Sequence, residues 1–220
     1  GWGNPSSQYP IGKQARDAVA AARETIAAAL GCKSEQFVFT SCGSESDNWA
    51  VRLALHQNRH AGKHIITTAV EHHAILHPMQ KLEAKGFEVT YLQPDHDGNI
   101  TVEELKKALR PDTILVSVMM VNNETGAVQD IAALGKGIKA RNSRTHFHVD
   151  AVQAWMRVPI KLDNIDTLSV SGHKIHAPKG IGALYLSDRL VQAFRPPYLG
   201  GEQERGLRPG TENTPYIVGL

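Results

Sequence analysis

The residues with the most chemistry to offer stand in the stretch Ser171-Gly172-His173-Lys174. It closes a short alternating run, Thr167-Leu168-Ser169-Val170-Ser171, and precedes Ala177-Pro178-Lys179-Gly180-Ile181-Gly182. Leu168 and Val170, apolar at period two, read as a buried strand, and the proline and glycines that follow force a turn. Lys174 is therefore expected to emerge at a strand's carboxyl end, the edge of an open α/β sheet where ligands sit. An amine held there among apolar walls is disfavoured as the ammonium and can act as a nucleophile toward carbonyls. A loop lysine taken alone is usually a solvated surface group, so the assignment depends on what else reaches the same edge.

Other polar residues follow other predicted strands: Glu71-His72-His73 after one, Asn122-Asn123-Glu124 after another, Asp150-Ala151-Val152-Gln153 after a third. Each has an ordinary explanation, since His72 could cap a helix, Asn123 could make a turn and Asp150 is a good N-cap residue. The turn Ser41-Cys42-Gly43-Ser44 joins a strand to a helix and aims backbone N–H groups and a helix dipole at one point, which suits a phosphate. A capping serine with a glutamate nearby has the same appearance. Pyridoxal 5′-phosphate (PLP) chemistry requires a lysine, an acid against the pyridine nitrogen, a phosphate cradle and an aromatic plane over the ring. Lys174, Asp150, Gly43-Ser44 and His72 supply one of each. His73 and His77, spaced i,i+4, could begin a zinc site, but no third ligand presents itself and no metal is expected.

Positioning these residues takes a regular alternation of strands and helices. Residues 12–30 read as an alanine-rich helix stopped by Gly31, and 37–40 as a strand running into a helix that carries Trp49, Val51, Leu53 and Leu55. Strands are expected at 64–69, 88–92, 114–121, 146–149, 167–171 and 182–186, and helices at about 73–85, 102–109, 131–140 and 152–156. Such alternation predicts a three-layer α/β fold, a doubly wound, mostly parallel sheet. Beyond Leu190 the chain turns Pro- and Gly-rich, through Arg195-Pro196-Pro197 and Gly200-Gly201 to Arg208-Pro209-Gly210-Thr211.

Composition narrows the function classes. The 24 Lys and Arg residues stand against 22 acids, scattered and without a basic run among aromatics, so no nucleic-acid partner is expected. Cys32 and Cys42 show no CxxC spacing and read as free thiols in a reducing compartment. The longest apolar run, 114–121, is too short for a bilayer, and the N-terminus lacks the regions of a signal peptide. The expectation is a cytoplasmic protein with no membrane association, or one of an organelle matrix whose presequence has been removed. A turn-rich start without methionine and an apolar end also predict a piece of a longer protein.

The motifs Gly3-Asn4-Pro5-Ser6-Ser7, Thr40-Ser41 with Glu45-Ser46-Asp47-Asn48, Glu71-His72, Val121-Asn122-Asn123-Glu124-Thr125-Gly126, His148-Val149-Asp150-Ala151 with Gln153, Ser171-Gly172-His173-Lys174 and Arg208-Pro209-Gly210-Thr211-Glu212-Asn213 run the length of the chain. In this order they resemble the cysteine desulfurases and selenocysteine lyases of the class-V aminotransferase group, PLP enzymes of fold type I. The resemblance implies that Lys174 is the Schiff-base lysine, that His72 stacks on PLP and serves as an acid or base, and that Asp150 partners the pyridine nitrogen. Gln153 would contact the ring hydroxyl and Asn123 the cofactor or substrate near it. Gly43, Ser44, Ser171 and His173 would hold the phosphate, with Thr211 reaching it from the other subunit of a homodimer.

The implied activity removes sulfur from L-cysteine to leave L-alanine and an enzyme persulfide, supplying Fe–S clusters or thio-cofactors, with a sulfur-acceptor protein as a further partner. Selenocysteine lyase, acting on L-selenocysteine, is the near alternative; a PLP-fold scaffold without catalysis is the distant one. Two departures from the family pattern stand out. Cys42 occupies a position where the family has glycine or another small residue. The family's sulfur-accepting cysteine and its carboxylate-gripping arginine belong to a small C-terminal domain. Residues 1–220 are expected to be the large PLP-binding domain without that small domain, and alone not to turn over cysteine.

Overall fold

The structure, a computed structural model, describes residues 3–193, 196 and 198–220. Arg195 and Pro197 of the proline-rich stretch lie outside the described residues. Seven strands form one sheet: β1 (Phe37–Thr40), β2 (His64–Thr68), β3 (Glu88–Leu92), β4 (Thr113–Met119), β5 (His146–Asp150), β6 (Thr167–Ser171) and β7 (Gly182–Leu186). Their order is β1-β7-β6-β5-β4-β2-β3. β7 runs against both of its neighbours, and the other pairs are parallel. The helices are α1 (Pro10–Leu30), α2 (Gly43–Gln57), α3 (His73–Glu83), α4 (Val102–Ala108), α5 (Ile131–Arg141), α6 (Asp188–Val191) and α7 (Thr214–Val218). α1 begins on Pro10, whose missing N–H matters least in a first turn, and stops at Gly31 in the left-handed region (φ 71°).

Period-two alternation in the central strands separates the layers. Phe147, Val149, Leu168 and Val170 turn to one face, where they join Leu105, Leu134 and Ile138 and the buried side of α1 in a single large core. On the opposite face α2 packs through two separate clusters. Trp49, Ala50 and Leu53 meet Val38, Leu184 and Leu186, while Val51 and Ala54 meet Ile65, Ile75, Met79 and Leu115. Between these clusters the strands present His146, His148, Asp150, Thr167, Ser169 and Ser171, all buried. The expected three-layer, mostly parallel sheet is therefore present, with a polar column under α2.

One expected helix is absent. Residues 152–156 form turns, because Ala154 and Trp155 N–H both donate to Ala151 O (2.9 Å each) and Met156 takes a left-handed conformation (φ 61°) that stops propagation. Among the described residues no helix is long and apolar enough to cross a membrane.

β1 is an edge strand, and side chains stand in for the missing neighbour. Phe39 N–H donates to Glu204 Oε2 (2.9 Å), and Phe37 O accepts from Arg23 Nη1 and Arg205 Nη2 (3.0 Å each). Arg23 is ion-paired to Glu204, with side chains only 12% and 2% exposed, and its guanidinium lies over the Phe39 ring, 4.7 Å from the centroid. Removing one member of a buried pair strands the other. Glu204→Ala should lose about 3 kcal/mol in urea denaturation. Asp188→Ala, which breaks the exposed pair with Lys33, should change nothing measurable.

Candidate active site

Topology brings two turns side by side. Thr40, the last residue of β1, and Ser171, the last of β6, both pair with Gly182 of β7. A Cβ on Gly182 would lie 2.7 Å from Val170 O and 3.0 Å from the Cys42 carbonyl carbon, so a glycine is needed where the chains close up. The turn that opens α2 and the turn that carries Lys174 thereby face one cavity of about 190 Å³. Its lining includes every residue expected to hold the cofactor except Thr211: Gly43, Ser44, His72, Asn123, Asp150, Gln153, Ser171, His173 and Lys174. Thr211 lines a different cavity, with Arg208, Glu212 and Asn213. A larger groove of about 440 Å³, between α1 and α7, is lined mainly by Ala, Ile and Trp side chains and has no convergent polar groups.

Each side chain is held by its own element. His72 caps α3: its Nδ1 accepts the Ala74 N–H (3.1 Å), which leaves Nε2 to carry the proton of the neutral ring. Asn122, rather than Asn123, builds the turn after β4. Its Oδ1 accepts Glu124 and Thr125 N–H (2.9 and 2.8 Å), and its amide donates to Val70 O (2.9 Å). Ser171 Oγ and His173 Nδ1 are 2.9 Å apart, and burial, then Lys174 and Lys179, push His173 below its ordinary pKa. Cys42 stands at the N-cap of α2 without bonding through its side chain to the helix, so the first-turn N–H groups point outward uncapped. Glu45 fastens that turn, accepting from Ser41 N–H (2.6 Å) and Arg208 Nε (3.0 Å); these contacts outweigh burial and hold its carboxyl below the ordinary range.

The walls around Lys174 are not the apolar ones expected. Met119 and Val152 are the apolar members of the lining, and two carboxyl groups, Asp47 and Asp150, share it. Asp150 is pushed well above the ordinary carboxylate range, first by burial, then by Asp47 and Glu71; the Val152 N–H (2.9 Å) and Lys174 oppose the shift. Glu71, beneath the His72 turn, is pushed up to about 8 by burial, against hydrogen bonds from Met119 N–H (2.8 Å) and Thr68 Oγ1 (2.7 Å), with Asp47 adding to the rise.

Sequence reasoning assigned no role to Asp47 or Arg157. Asp47 lies one turn beyond Gly43 on α2, a spacing that places both on one helix face and was the available signal. Arg157 donates to Gln153 Oε1 (2.9 Å) and to the Lys174 carbonyl (2.5 Å), joining two lining residues from outside; no local pattern announces it.

The class-V aminotransferase family profile matches residues 2–220. The cysteine desulfurase IscS of Methanosarcina thermophila is 50% identical over 221 residues, covering all of this chain and 54% of the relative. A cysteine desulfurase of Nostoc sp. (strain PCC 7120) is 51% identical over the same length, again with 54% of the relative covered. Among solved structures, a NifS-like protein superposes with a TM-score of 0.94 at 41% identity, over 99% of this chain and 60% of that one. A structure described as SspA in complex with cysteine gives 0.92 at 41% identity, over 99% and 63%. The chain spans about half the length of the curated relatives it matches. It belongs to the class-V aminotransferases, whose members depend on PLP.

The residues present fit that cofactor. Gly43 packs against Val152, where a Cβ would come 2.6 Å from Val152 Cγ2, so the turn stays close to the cavity wall; uncapped helix N–H groups, a serine–histidine pair, a buried acid and a lysine converge on the same space. Gly43→Ala should therefore lower PLP affinity roughly five- to a hundredfold, the effect of the ~1–3 kcal/mol typical of overpacking. Adding Val152→Ala to the same chain should restore most of it, as read by absorbance titration.

Glu71 also makes stability depend on pH. An acid near pKa 4.5 in the unfolded chain and about 8 in the folded one is a proton sink that only the folded state keeps. Its contribution is intact below about 4.5 and is lost as pH rises toward about 8. The stability of wild type should fall between about pH 5 and pH 8 relative to that of Glu71→Gln in paired denaturation curves.

Proposed function

We propose that this chain carries the PLP-binding core of a cysteine desulfurase, which converts L-cysteine to L-alanine and leaves the sulfur as a persulfide on a protein thiol. The observation that carries the reading is the convergence of Lys174, Asp150, His72 and the Gly43-Ser44 turn on one cavity. The relatives named cysteine desulfurase and the structure described with cysteine support the substrate.

When bound, PLP supplies an electron sink for charge that develops beside the amino-acid α-carbon. The protein's residues do the rest. Ser44, Ser171, His173 and the first-turn N–H groups of α2 would hold the phosphate. Asp150, whose surroundings favour the protonated acid, presents a proton where the ring nitrogen must carry one. Gln153, steadied by Arg157, addresses the ring hydroxyl, and Asn123 lies at the same rim. Lys174 would hold the cofactor through its carbonyl carbon, and its amine, when free of that bond, would be available to take a proton within the same cavity. His72 offers its ring face and an Nε2 proton. Thr211, outside its own chain's cavity, serves a second copy's phosphate in a homodimer.

Neither cysteine suits the role of sulfur acceptor. Burial, then Glu35, pushes the Cys32 thiol up to about 11, which leaves little thiolate. Cys42 is fixed in the turn that cradles the phosphate, whereas an acceptor must reach the substrate sulfur and then present it outward.

Two measurements test the reading. Borohydride should fix PLP to the peptide containing Lys174, and Lys174→Ala should abolish the fixation; a label on Lys179 would reassign the lysine. L-Cysteine should change the absorption of the PLP-loaded chain without multiple turnovers of alanine by mass spectrometry. Multiple turnovers lost in Cys42→Ala would make Cys42 the acceptor, and no spectral response to L-cysteine would contradict the proposed substrate.

A further inference from the structure

His146, His148 and Asp150 share one face of β5 at two-residue intervals, beneath α2. Thr167, level with His148 on β6, joins the two histidines: its Oγ1 is 2.8 Å from His146 Nε2 and 2.9 Å from His148 Nδ1. The remaining nitrogen of His148, Nε2, meets Asp47 Oδ1 at 3.1 Å, with the two side chains 0% and 1% exposed. Asp47 and Asp150 then line the same cavity. A buried hydrogen-bonded column thus runs from the middle of the sheet to a second carboxyl group beside Asp150, and the functions assigned above give it no task.

We propose that Asp47, oriented by His148, is a positioning residue for Asp150, setting the charge that Asp150 presents to the floor of the cofactor cavity. The purpose of this arrangement rests on the PLP reading; its geometry does not. Both carboxyl groups are buried, so water screens their interaction little. The groups that face Asp150 are Asp47 from α2, Glu71 from the turn after β2 and Lys174 from the turn after β6, with His148 on its own strand. After burial itself, Asp47 raises Asp150 most, ahead of Glu71, while Lys174 works the other way. A side chain that merely fastened α2 to the sheet would serve as well as an amide, since asparagine can keep the bond to His148. One that acts through its charge would not.

The test uses the full 220-residue chain without cofactor, carrying aspartate labelled with carbon-13 at the side-chain carboxyl, with Asp150 assigned by its loss in Asp150→Asn. Asp47→Asn should move the Asp150 titration midpoint downward, and further than Glu71→Gln does. Asp47→Glu, which keeps a carboxyl group, should restore it toward wild type. Circular dichroism and thermal melting establish that each variant is folded, and Asp47→Ser replaces the amide if Asp47→Asn is not. An unchanged midpoint in the folded neutral variant, or an equal fall in Asp47→Glu, overturns the proposal. PLP binding by wild type is measured separately: its failure would contradict the cofactor reading and leave the Asp47–Asp150 coupling standing on its own titration.

Discussion

Three carboxyl groups, Asp47, Glu71 and Asp150, are buried at one end of the sheet, and much of the site is built around keeping them there. A carboxylate taken out of water costs several kcal/mol unless it is paired, hydrogen-bonded or protonated. Hydrogen bonds and protonation both appear. His148 is hydrogen-bonded to Asp47; Met119 N–H and Thr68 hold Glu71; Val152 N–H holds Asp150; and Glu71 and Asp150 are pushed toward their neutral forms. Lys174 is the opposite charge whose influence on Asp150 reaches into this cluster. Two carboxyl groups inclined to keep their protons thus lie close to an amine, the kind of perturbed cluster that gathers at functional sites.

The same arrangement shapes the packing. Polar side chains in the middle of the sheet divide the apolar contact under α2 into two clusters, and the opposite face carries the larger continuous core. α2 therefore has two tasks. Its buried face anchors it to the sheet, while its first turn leaves N–H groups uncapped at the cavity. Antiparallel β7 supplies the remaining constraint, because both flanking strands end level with Gly182 and so deliver their turns to one place.

The strand ends are legible in the sequence because short period-two apolar runs stop at small or polar residues, as at Ser171 and after Phe39. Strand order is not, since it depends on pairings between segments far apart, and the cover of β1 by Glu204 joins residues 165 positions apart. Residues 152–156 read as a helix in the alternation of strands and helices, yet the left-handed Met156 ends any helix after one turn. Lys174, Asp150 and His72 are legible as chemistry because they fall together at the strand ends of one sheet edge. Asp47 is not, because an acid in the first turns of a helix ordinarily faces water and complements the dipole. Its burial follows from His148, a hundred residues away in the chain, and from the way α2 lies over β5.

On the proposed reading, the ends of separate elements form a single PLP site. Hydrogen exchange of the purified chain with and without PLP, resolved by peptide, tests it most directly. The account predicts added protection in segments 42–46, 150–153 and 171–174 together, with none at 18–29 or 215–220 beside the apolar groove. Protection confined to the groove, or absent from the first-turn amides of α2 while PLP is bound, would contradict it.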